Sequence, residues 1–93
     1  MIVGILRAEL HVVGAISLKD KRRVIKSIKD RLSNGHNVSV AEVDALDSHQ
    51  RAVLGIAMVA NESRFVESCL HKIVDHLRRV RDASLIGYRI ELV

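Results

Sequence analysis

Residues 17–35 read S-L-K-D-K-R-R-V-I-K-S-I-K-D-R-L-S-N-G, and their spacing predicts a basic amphipathic helix from Ser17 to Gly35. At about 100° per residue, Leu18, Val24, Ile25, Ile28 and Leu32 fall in one arc, a stripe that must be buried. The adjoining arc holds Lys19, Arg22, Arg23, Lys26 and Lys29, interrupted only by Asp30. Ser17 is suited to cap the start, its hydroxyl accepting from the amide of Asp20, whose carboxylate favours the positive end of the helix dipole. Asn34 and Gly35 suit a left-handed stop. Such a helix packs one side on a sheet and presents positive charge on another.

Around this helix the chain alternates. Met1–Val13 is a strand, with Ile2, Gly4, Leu6, Ala8, Leu10 and Val12 on one side of it. Asn37–Val43 (N-V-S-V-A-E-V) is a second strand, and Asp44–His49 is polar and turn-like. Gln50–Ala60 is almost wholly apolar, as expected of a strand inside a sheet. Asn61 is placed to cap a second helix, in which Phe65, Val66, Cys69, Leu70, Ile73, Leu77 and Val80 recur at helical spacing to about Arg81. Leu85–Val93 alternates again, Ile86, Tyr88, Ile90 and Leu92 opposing Gly87, Arg89 and Glu91. The order βαββαβ predicts an α+β, ferredoxin-like sandwich: a four-stranded antiparallel sheet, two helices on one face, and a single domain over residues 1–93.

The 93 residues carry a net charge of +4. Residues 17–35 hold seven Lys or Arg against two Asp, so the basicity belongs to one helix and the rest of the chain is close to neutral. A lone cysteine, Cys69, permits no intrachain disulfide, and the N-terminus lacks both a charged leader and a long apolar run. A cytoplasmic protein without a membrane segment is the expectation.

Enzymatic chemistry finds no foothold in the pattern. Acylphosphatases share this element order but need an arginine in the loop after the first strand, where V-V-G-A-I-S has none. The five histidines match no ligand spacing, so neither a metal nor a cofactor is expected, and there is no P-loop or dinucleotide fingerprint. No small-molecule substrate is implied. Base stacking on the sheet is not expected either, because its strand positions are aliphatic and Tyr88 lies alone in the last strand. Phosphate contacts by Lys19, Arg22, Arg23, Lys26 and Lys29 fit best, reading the shape of a structured RNA.

Two further expectations concern the sheet. Lys21 falls in the apolar arc of the helix, so its ammonium is expected to form a structural ion pair with Glu42 or Asp44, with Arg51 close by. If Leu6, Leu10, Leu54, Ile56 and Met58 face the helices, the uncovered face shows Val3, Ile5, Val53, Ala57 and Val59 inside a rim of Arg7, Glu9, Arg89 and Glu91. That patch predicts a protein interface, most simply a homodimer, and makes an interaction adaptor the alternative function.

The blocks S-L-K-D-K-R-R (Ser17–Arg23), N-V-S-V-A-E-V-D (Asn37–Asp44) and Q-R-A (Gln50–Ala52) resemble the YlxP family, small bacterial proteins of unknown function. The resemblance spans nearly the whole chain and implies a ferredoxin-like fold. It also implies a gene neighbourhood shared with translation initiation factor two and ribosome-binding factor A, hence a role in ribosome assembly or translation. The partner expected on that basis is ribosomal RNA or the small ribosomal subunit.

Overall fold

The computed structural model covers residues 1–93, running β1 (Ile2–Val12), α1 (Leu18–Gly35), β2 (Ser39–Asp44), β3 (Arg51–Ala60), α2 (Ser63–Arg78) and β4 (Ala83–Leu92). The strands pair antiparallel in the order β2-β3-β1-β4, which places the first and third strands at the centre of a ferredoxin-like sheet. Leu6, Ala8, Leu10 and Val12 of β1 and Ala52, Leu54, Ile56 and Met58 of β3 form the covered face. Ile25, Ile28 and Leu32 of α1 and Val66, Leu70, Ile73, Val74 and Leu77 of α2 complete the same core. Each large aliphatic buried there contributes on the order of 1.5–3 kcal/mol. Gly4 marks a close approach of α2 to β1, since a Cβ there would run into Val66 Cγ1 and Leu70 Cδ1.

Ser17 caps α1 as its position implies. Its Oγ accepts from the Asp20 amide at 3.1 Å, and Asp20 Oδ2 accepts in return from the Ile16 amide at 3.2 Å. The far end differs from expectation: Gly35 is not left-handed, and the helix closes with the His36 amide on the Leu32 carbonyl at 3.0 Å. His36 is already extended (φ −145°), carrying the chain straight toward β2. On α2 the cap is Glu62, without a side-chain bond, rather than Asn61. Phe65 is exposed and Val74 takes the buried place.

Two register shifts change faces. Between Glu42 and Asp44 the pairing to β3 slips, so Glu42 opposite Leu54 faces the helices and Asp44 opposite Val53 faces away. A second shift lies where Glu9 pairs Gly87 and Leu10 pairs Leu85, leaving Ile86 unpaired and exposed. Tyr88, opposite the buried Ala8, therefore stands on the helix side, where the Arg78 guanidinium lies 5.6 Å from its ring centre.

Candidate functional site

The basic arc of α1 stands as expected: Lys19, Arg22, Arg23 and Lys26 are exposed and Lys29 is half-buried. Ion pairing distinguishes most of them from the cations of the sheet. Of 15 Lys and Arg, six meet a carboxylate: Arg7, Lys21, Lys26, Arg51, Arg78 and Arg89. All three arginines of the sheet are in that set, so its charges cancel locally. Lys19, Arg22, Arg23 and Lys29 have no such partner, and Lys26 meets only Asp30 one turn on, at 2.8 Å and in solvent. The free positive charge is thus confined to the helix layer.

Lys21 lies on the opposite side of the same helix turn and is fully buried. Its Nζ donates to the carbonyls of Ala45 at 2.9 Å and Arg51 at 3.1 Å, and lies 2.8 Å from Glu42 Oε2. That oxygen accepts no aligned hydrogen bond, so the third contact is held by charge rather than by a directed N–H. The expected ion pair is therefore made with Glu42, not Asp44, because the β2 register shift turns Asp44 to the other face. Lys21 thereby ties the start of α1 to the turn between β2 and β3, where Ala45 holds a left-handed backbone (φ 57°).

The uncovered face is not an apolar centre within a charged rim. Arg7, whose register partner on β3 is Gly55, reaches across that strand to Asp44 on β2 at 3.0 Å. Arg51 forms a two-pronged pair with Glu9, Nε to Oε2 at 2.9 Å and Nη2 to Oε1 at 3.2 Å. Val53 sits between Glu9 and Asp44 in the register and is only 1% exposed beneath these charges, which removes it from any interface. The Ala45 amide, then Arg7, hold the Asp44 carboxyl below its usual range, and the hydrogen bond from Arg51 does the same for Glu9. The apolar part lies toward the other end, where Val3 is half-buried and Val59 exposed. There Ile5, Val43, Gly55 and Ala57 line a shallow groove of about 370 Å³.

A family model described as "Protein of unknown function (DUF503)" matches residues 3–90. The chain belongs to this family. It is 36% identical over 72 residues to the uncharacterised protein YlxP of Bacillus subtilis (strain 168), a match covering 77% of this chain and 78% of that protein.

This DUF503 chain has no group of three or more His, Cys, Asp or Glu placed to hold a metal, and no helix long and apolar enough to cross a membrane. What the sequence reading missed is Arg31, which lies outside the basic arc of α1 and meets Arg79 and Arg81 from beyond α2. Nothing in local spacing signals that meeting, because the fold brings together positions nearly fifty residues apart.

Proposed function

We propose that the protein is a non-enzymatic, cytoplasmic accessory factor of ribosome assembly or translation that binds backbone phosphates of structured RNA through α1. The observation that carries this is the row of exposed cations on α1 lacking stable carboxylate partners, on a molecule that neutralises the arginines of its sheet. Lys19 to Lys29 spans about 15 Å along the helix axis, a length suited to several phosphates of one strand. With Tyr88 turned to the helix side, the open sheet face offers no Phe, Tyr or Trp for base stacking, which favours recognition of backbone shape. If all five cations of the arc meet phosphates, log affinity falls against log salt with a slope of roughly −3.5 to −4.5. Titration of a structured ribosomal RNA fragment and sedimentation with small subunits, each over a salt series, test this. Arg22→Ala/Arg23→Ala/Lys26→Ala should flatten the slope by about two to three units with folding intact. Salt-independent binding, or a triple variant equal to wild type, would sink the reading.

A second reading, a homodimer or adaptor through the uncovered face, rests on the apolar groove around Ile5, Val43 and Ala57, with Val3 and Val59 beside it. Sedimentation velocity over a wide concentration range should then show self-association that Ile5→Lys abolishes. A wild-type monomer throughout rejects the dimer.

A further inference from the structure

The ends of the two helices form a second cationic place, on the flank of α1 away from its basic arc. Arg31 from α1 and His76, Arg79, Val80 and Arg81 from the end of α2 and the loop beyond it line a cleft of about 420 Å³. His36 at the α1 cap adds its field. None of Arg31, Arg79 and Arg81 forms an ion pair; Asp82 shares an adjoining groove with Arg31 and Arg81 but pairs with neither.

The bland account is that these cations offset the negative ends of two helix dipoles. Each end amounts to roughly half an elementary charge, so three permanent guanidinium charges exceed that demand about threefold. The surplus is felt by His76. Burial first, then His36, Arg31 and Arg79, hold its imidazolium below the usual 6.5. Positive charge gathered around a cleft with no acid in its lining is arranged for an anion from outside. Guanidinium groups meet phosphate oxygens in two-pronged fashion. Three arginines lining one cleft, rather than a row along a helix, suit a dianion, and a phosphate monoester is close to that charge at neutral pH whereas a backbone diester carries one.

We propose that the cleft between the C-terminal ends of α1 and α2 binds a phosphate monoester through Arg31, Arg79 and Arg81. The monoester can be the phosphorylated end of an RNA or a free nucleotide, which share the chemistry. The site does not depend on the basic arc of α1, so it can stand if the RNA reading falls.

The test follows the His76 ring resonances of the full chain by NMR during titration with AMP and with inorganic phosphate. It adds binding of one RNA bearing either a 5′-phosphate or a 5′-hydroxyl. Expected are saturable His76 shifts with AMP and a rise in the His76 midpoint on binding. Affinity should fall at least about tenfold for each of Arg31→Ala, Arg79→Ala and Arg81→Ala, all exposed positions whose truncation spares the core. Arg22→Ala/Arg23→Ala/Lys26→Ala should bind AMP like wild type. Preference for the 5′-phosphate RNA identifies RNA ends as the source, and AMP binding without that preference identifies a free nucleotide. His76 resonances unmoved by AMP and phosphate, or AMP binding indifferent to the three arginines, overturns the proposal. Loss of RNA binding by the α1 triple variant, with AMP binding kept, shows the two sites to be separate.

Discussion

Replacing Lys21 with methionine keeps the length and apolar stem of the side chain and removes only the ammonium. Because Lys21 is fully buried and meets the Ala45 and Arg51 carbonyls and the Glu42 carboxylate, the change takes a donor from both carbonyls, of which Ala45 keeps the Ser48 amide at 3.0 Å, and leaves a negative charge in a site where Glu42 is 15% exposed. Breaking a buried pair from one side costs about 3–5 kcal/mol. In a domain of this size that is a fall in Tm of roughly 12–40 °C, at about 4–8 °C per kcal/mol. With an m-value near 2 kcal/mol/M the urea midpoint moves by about 2 M. Urea unfolding followed by circular dichroism reads both variant and wild type. Lys21→Met/Glu42→Leu supplies the control: removing both charges should recover more than half of the loss, because the uncompensated carboxylate is gone. A single variant within about 1 kcal/mol of wild type, or a double variant no better than the single one, would refute the assignment of Lys21 as the tie between α1 and the turn from β2 to β3.

Gly4→Ala sets a methyl group against Val66 and Leu70 and should destabilise by about 1–3 kcal/mol, seen as a lower urea midpoint; Gly87→Ala, with open space around it, should not show this steric loss. Stability should also fall in acid through Glu9 and Asp44, whose folded carboxyls are held below their ordinary values of 4.5 and 3.8. The unfolded chain takes up these protons first as pH drops, so the contribution is complete above about pH 5 and is lost as pH falls through the folded values. Urea midpoints measured down to about pH 2.5 should show that slope, and Arg7→Ala/Arg51→Ala should flatten it. An equal slope in the double variant assigns the acid sensitivity elsewhere.

Periodicity alone determined much of this protein. The burial of Ile25, Ile28 and Leu32 and the alternation along β1 follow from patterns that repeat every 3.6 or two residues, the central place of β3 from its apolar run and the cap at Ser17 from a hydroxyl three residues ahead of the Asp20 amide, all of them signals that act over a short length of chain. The exposure of Lys19, Arg22, Arg23 and Lys26 and a buried partner for Lys21 were legible for the same reason. Tertiary structure alone decided the faces beyond each register shift, because one extra residue in a strand exchanges the two sides of the sheet. That exchange separated Asp44 from Lys21, took Ile86 out of the ladder and helped bury Val53 beneath Arg7, Glu9, Asp44 and Arg51, of which Arg7 and Glu9 had read as a rim. It also decided the meeting of Arg31 with Arg79 and Arg81, since charges that converge across the fold carry no period along the chain.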